Sequence, residues 1–294
     1  MTGSIPEGPT RLAVHRLVRG APGTASGRES SGRGQLGAVH APLVLLHGFT
    51  GDATTWSGLV PHLGSAREVY AIDLVGHGDS PDPGEPGSYT IAATVQSVAA
   101  AWARTAAGAA HWLGYSMGGR VALNLAMARP DLVASLTLVG ASPGIGDAVA
   151  RRERVAADEE LASFIETEGV PAFVDRWMAH PLFASQGKLG PGHLARAREQ
   201  RLRNRGRAMA LTLRGMGTGA MEPVGERLPE LELPVLLVTG ADDAKFCRLA
   251  REMEERLPAA QRAVLPHAGH AVHVEAPDAL AVVVNRFLQH VEAV

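Results

Sequence analysis

The chain has one cysteine, Cys247, so no internal disulfide can form and a cysteine-built metal site is disfavoured. Lysine is almost as scarce: Lys188 and Lys245 are the only two among 28 Lys and Arg residues. With Ala, Arg and Gly abundant, that bias fits a GC-rich coding sequence, and the number of arginines alone carries little weight. The formal net charge is only −2, so neither nucleic acid nor an anionic membrane gains a bulk electrostatic attraction. Met1 to Gly20 holds no continuous apolar run of the signal-peptide kind, and no stretch reaches the ~18 apolar residues of a membrane helix. These absences predict a soluble, intracellular protein in a reducing cytoplasm.

What is present suffices for a large core. The 294 residues, 46% of them apolar, can form one elaborated domain or a domain with an insertion. Residues 1–40 predict an N-terminal edge strand, from the alternation over Thr10 to Val18, and a mobile loop over the Gly-, Ser- and Arg-rich Gly20 to Gly37. Short apolar runs suited to buried parallel strands follow at Ala41–Leu46, Val69–Leu74, Ala109–Leu113 and Asp131–Gly140. Helical spacing over Ile91–Ala106 and Val121–Ala128 separates them.

After Ala141-Ser142-Pro143-Gly144 the pattern changes. Val149–Glu168, Val170–Ala179, Gly192–Asn204 and Arg207–Leu213 are helix-like, with no strand among them. Strand signal returns at Pro234–Gly240 and Ala263–Leu265, and Ala279–Val291 closes the chain as a helix. The pattern predicts an α/β protein with a mostly parallel central sheet and helices on both faces. Its core is built from residues 41–142 and 229–294, with a helical cap inserted at 143–228.

Gly114-Tyr115-Ser116-Met117-Gly118 lies between a strand run and a helix run. In that context Gly-x-Ser-x-Gly is the nucleophile elbow of the α/β-hydrolase fold. Ser116 must sit on a strained turn that exposes its hydroxyl, and the glycines keep side chains out of the close approach of strand and helix. Upstream, His47-Gly48-Phe49-Thr50-Gly51 ends a strand run. In this fold His-Gly at that place opens the loop that gives one oxyanion amide, which predicts Phe49 and Met117 as the two backbone donors. Gly76-His77-Gly78-Asp79-Ser80 lacks the third Gly of a dinucleotide fingerprint and is followed by Pro81, so it reads as a turn.

A serine hydroxyl needs a base to take its proton, and the base needs an orienting acid. In this fold the order is Ser, acid, His. Asp242 and Asp243 compete for the acid, and Asp243 fits the Gly-x-x-Asp spacing after its strand. His267, His270 and His273 compete for the base; His270 follows a Gly after the last strand, and His273 is expected to pack or to line the pocket. His47 and His77 lack a third partner at ligand spacing, so no metal is expected.

Together, Leu46-His47-Gly48-Phe49-Thr50-Gly51, Gly114-Tyr115-Ser116-Met117-Gly118-Gly119-Arg120 and Gly240-x-x-Asp243-x-Lys245-Phe246 resemble a family. It is that of the menaquinone-pathway SHCHC synthases, α/β-hydrolase-fold lyases that make 2-succinyl-6-hydroxy-2,4-cyclohexadiene-1-carboxylate. The resemblance extends to Arg154, Trp177 with Pro181-Leu182-Phe183-Ala184-Ser185, Arg201-Leu202, Leu213-Arg214-Gly215-Met216-Gly217-Thr218-Gly219 and Gly269-His270-Ala271-Val272-His273-Val274-Glu275. It covers about Leu43 to Phe287 and departs from the family in the long Gly20–Gly37 stretch.

The resemblance implies removal of pyruvate from an enolpyruvyl ether by proton abstraction and elimination, without cofactor. Ser116, His270 and Asp243 would act as a base system, with no acyl-enzyme. Arg120, Arg154 and Arg201 are implied as binders of a small polyanionic carboxylate substrate, and Tyr115 and Trp177 as pocket walls. Arginine suits that role through bidentate geometry, and Arg120 lies one turn past Ser116. Between Arg196 and Arg214 there are seven Arg against one acid, Glu199, an excess of six, most of it expected to be solvated.

Two rivals share these motifs. A serine hydrolase of the same fold, acting on an ester, thioester or C–C bond, would use the same three residues. A non-catalytic ligand-binding protein can retain a triad, although two oxyanion motifs beside it argue for catalysis. Ser116 at the elbow disfavours epoxide hydrolases and dehalogenases, which need a carboxylate there.

Overall fold

Among the described residues seven strands, most of them fully buried, form one sheet that is covered on both faces. The computed structural model describes residues 8–18, 40–65 and 67–293. The Gly20–Gly37 stretch lies outside the described residues. The strands are β1 (Val14–Val18), β2 (Leu43–Leu46), β3 (Val69–Ile72), β4 (Ala110–Tyr115), β5 (Val133–Val139), β6 (Val235–Gly240) and β7 (Ala260–Leu265). Their order is β1-β3-β2-β4-β5-β6-β7, with β1 antiparallel to β3 and every other pair parallel. No helix among the described residues is long and apolar enough to cross a membrane.

The pleat explains the near-continuous apolar runs. Val44, Trp112, Leu136 and Leu237 pack on one face, against α1 (Ile91–Thr105), α2 (Met117–Ala128) and α6 (Ala244–Glu254). Leu45, Leu113, Val139 and Val238 pack on the other, against α8 (Pro277–Ala293) and the short α7 (Val272–Glu275).

Between β5 and β6 run α3 (Ala148–Met178), α4 (Pro191–Leu202) and α5 (Gly206–Met216). Gly169, at φ 80°, breaks α3 into two helices end to end, with Pro171 just beyond. These helices enclose their own apolar cluster of Ile165, Phe173, Val174, Met209 and Leu213. A tight 3-10 segment over Pro181–Leu189 joins α3 to α4 and was not foreseen, nor was α6. Only Ala250 and Met253 of α6 are buried, although Phe246, Leu249, Ala250 and Met253 recur at helical spacing, a signal the sequence carried.

Candidate active site

Ser116 sits at the sharp turn from β4 into α2, at φ 50° and ψ −107°. A side chain pays strain in that region unless its surroundings fix it. The Ser116 amide donates to Val139 O at 2.9 Å, and Ser116 O accepts from the Arg120 amide at 3.1 Å. The flanking glycines are required by space. A Cβ on Gly118 would lie 2.1 Å from Leu46 O, and one on Gly114 would lie 2.4 Å from Gly118 O.

The candidate base and acid arrive from the other half of the sheet. Asp243 follows β6 and caps α6 by accepting from the Phe246 amide at 3.2 Å. His270 follows β7 in a loop that Glu275 pins, its carboxylate accepting from the amides of Gly269 (2.8 Å) and Ala271 (3.1 Å). His270 Nδ1 donates to Asp243 Oδ2 at 2.8 Å, which leaves Nε2 to accept from Ser116 Oγ at 3.2 Å. Phe246 and Tyr115 pack on the imidazole at 4.4 and 5.3 Å between ring centroids, and Phe183 covers it from the cap at 6.2 Å.

The competing residues lie elsewhere. Asp242 is exposed and paired with Lys188 of the cap at 2.8 Å. His267 is exposed, at φ 59°. His273 is buried, its ring 4.1 Å from Tyr115 and 5.1 Å from Trp56. Burial, reinforced by His270 and Arg201, pushes His273 down to about 3, so it is neutral.

The loop carrying Phe49 is shaped by a histidine. His47 Nδ1 donates to Gly48 O at 2.8 Å, and Nε2 accepts from the Leu74 amide at 3.0 Å. Burial lowers the pKa of His47, and burial with His47 beside it pushes His77 down to about 3. Both stay neutral at pH 7; His77 Nδ1 donates to Val75 O at 3.0 Å. One group of metal-ligating side chains stands out among the described residues, His15 with Asp73 and Asp79. The Asp73 carboxylate already accepts from the amides of Ala53 and Asp79, so its burial is accounted for by hydrogen bonds.

Above Ser116 is a cavity of about 530 Å³ lined by Phe49, Tyr115, Arg120, Arg154, Trp177 and His270, among others. Trp177 serves both wall and cap core, edge-on to Phe49 at 5.4 Å and stacked on Phe173 at 5.8 Å. The buried Arg120 donates through Nη1 to Met216 O of the cap. Burial, then Arg154, pull its guanidinium down to about 10, so it remains a cation at neutral pH. Arg154 donates through Nε to both oxygens of Asp158 at 2.9 Å.

Arg201 lines an adjoining cavity of about 560 Å³, with His193, Arg196 and His273. Phe49 and Tyr115 line both cavities and form the partition. Arg201 Nη1 donates to Ala197 O at 3.0 Å, and its Nε is buried without a partner among the described residues.

Most of the arginine excess is solvent-exposed, as expected, yet nearly all of it is paired. Arg198 pairs with Asp175, Arg203 with Asp52, and Arg214 with Glu159 and Glu166. Arg205 and Arg207 donate to Ser80 O and Gly84 O of the core. The acids come from distant segments, which a local count cannot see. Asp158 was missed as a pocket residue; its i,i+4 spacing from Arg154 was the available signal.

A strained serine between β4 and α2, a histidine and an acid after later strands, and an inserted cap define an α/β-hydrolase. The family model described as the alpha/beta hydrolase fold matches residues 41–277. The chain is 39% identical over 246 residues to a protein of Bacillus subtilis (strain 168) provisionally named 2-succinyl-6-hydroxy-2,4-cyclohexadiene-1-carboxylate synthase, covering 84% of this chain and 89% of that one. It is 31% identical to the synthase of that name from Serratia proteamaculans (strain 568), covering 86% and 96%. The solved structure of MenH from S. aureus superposes with a TM-score of 0.82 at 31% identity, over 87% of this chain and 96% of that one. An enol-lactonase from Burkholderia xenovorans LB400, 22% identical with a TM-score of 0.77 over 95% and 97%, shares the fold. The chain belongs to the SHCHC synthase family of the α/β-hydrolase superfamily, and it is an enzyme.

Proposed function

We propose that this enzyme eliminates pyruvate from 2-succinyl-5-enolpyruvyl-6-hydroxy-3-cyclohexene-1-carboxylate to give SHCHC in menaquinone biosynthesis, as a carbon–oxygen lyase without metal or cofactor. The supporting observation is one cavity that holds both Ser116 with His270 and the cations Arg120 and Arg154. A polyanion placed there has fixed positive partners beside a proton-accepting pair.

In this reading Ser116, held by His270 and Asp243, removes the proton on the ring carbon next to the succinyl carbonyl. The freed electron pair forms the new ring double bond and shifts the existing one. The bond to the enolpyruvyl oxygen breaks, and the departing enolate takes a proton and becomes pyruvate. Charge develops on the succinyl carbonyl oxygen, where the amides of Phe49 and Met117 are the proposed donors. Tyr115 and Trp177 wall the site, and Arg201 receives a carboxylate arm that reaches past Tyr115.

The test is pyruvate release from the enolpyruvyl substrate with chelator present, followed through lactate dehydrogenase. Wild-type protein should release it, and Ser116→Ala should not. Rapid turnover of p-nitrophenyl esters with no pyruvate released would overturn this reading in favour of a serine hydrolase.

A further inference from the structure

We infer that Asp158 is a positioning residue for substrate carboxylate binding: it grips Arg154 by Nε alone and leaves the terminal nitrogens of that guanidinium to the ligand. The inference rests on the polyanionic substrate proposed above.

A carboxylate in an anion site repels the ligand, so its presence calls for a compensating task. The geometry supplies one. Both Asp158 oxygens lie 2.9 Å from the same Arg154 nitrogen, Nε. Among the described residues no acceptor takes Arg154 Nη1 or Nη2, and both residues line the Ser116 cavity. Arg154 therefore presents the two-nitrogen edge suited to bidentate carboxylate binding.

The same cap contains a contrasting case. Arg214 donates through Nε, Nη1 and Nη2 to Glu159 and Glu166, so its fork is fully occupied by protein. Arg214 ties α5 to α3, whereas Arg154 keeps its fork open.

The end of α5 is shaped around this arrangement. Met216 O takes Arg120, and a Cβ on Gly217 would lie 2.4 Å from Asp158 Oδ2. Side-chain exposure is 8% for Asp158 and 37% for Arg154, so the acid is buried behind a cation that faces the cavity. Burial raises the Asp158 carboxyl against the pull of Arg154 and then Arg120.

A double-mutant cycle of Asp158→Asn and Arg154→Ala tests this, read by steady-state pyruvate release and by calorimetric binding of citrate, a plain tricarboxylate. Asp158→Asn should raise KM and weaken citrate binding about tenfold, with kcat within about threefold, because an interaction made equally in ground and transition states is lost. In the Arg154→Ala background it should add less than about twofold. Asp158→Glu, which keeps the charge and displaces the grip, should also raise KM. Equal effects in both backgrounds, tighter citrate binding by Asp158→Asn, or no citrate binding by the wild type would each overturn the inference. If the wild type bound citrate but released no pyruvate, the reaction reading would fall while the citrate cycle still measured the coupling.

Discussion

Lys188 of the cap reaches Asp242 at 2.8 Å, one residue before the carboxylate that holds His270. Two adjacent aspartates thus have separate partners, Lys188 at the surface and His270 in the buried site. Asp243→Asn should lower kcat by about 10⁴, the scale seen when a triad acid can no longer hold its imidazole in the right tautomer. Asp242→Ala should leave kcat within about threefold. Comparable losses in the two variants, measured as pyruvate release, would refute this division.

Arg120 touches both halves of the molecule, rising from α2 beside Ser116 and donating to Met216 O at the end of α5. Arg120→Ala should cost ~2–5 kcal/mol of transition-state stabilisation, read from kcat/KM. Arg120→Lys should recover little, since a point charge cannot both hold the Met216 carbonyl and face a carboxylate. An unchanged kcat/KM and unchanged product inhibition in Arg120→Ala would remove Arg120 from the site.

A pH-dependent stability term is built at the opposite end of the sheet. Burial works to raise the Glu292 carboxyl, but Arg67, His40 and His111 outweigh it and pull it from 4.5 to about 2. Arg67 binds it through two nitrogens, each at 2.9 Å. The folded pKa lies below the unfolded one, so the stabilisation is complete above pH 4.5 and is lost as pH falls towards 2. Glu292→Gln should therefore lower the unfolding free energy by about 1–2 kcal/mol at pH 7 and by almost nothing near pH 2. Urea titrations at the two pH values measure this, and a difference that persists in acid would disprove it.

Most of the sheet was legible because buried parallel strands are short apolar runs, and Gly114 and Gly118 are fixed by contacts that admit no Cβ. The placement of Arg201 was not legible. A motif match carries a residue type to a position, but the partition made by Phe49 and Tyr115 depends on how α4 packs over the core. The pairing of the arginine run from Arg196 to Arg214 was hidden for a related reason. Its acids, Asp52, Glu159, Glu166 and Asp175, are remote in sequence, and a count within one window cannot find them. Helix α6 was legible, with Phe246, Leu249, Ala250 and Met253 at helical spacing, although only Ala250 and Met253 of them are buried.

The insertion of the cap between β5 and β6 has a consequence during synthesis. Ser116 and the Phe49 loop leave the ribosome early, while Asp243 and His270 follow only after the whole cap, on the order of ten seconds later at ordinary elongation rates. Through that interval β5, whose partner on one side is β6, offers an unpaired apolar edge to any neighbouring nascent chain. The unfinished polypeptide carries Ser116 without its partner His270. Its hazard at that stage is association, which makes the cap helices and their own apolar cluster the first shelter the growing sheet receives.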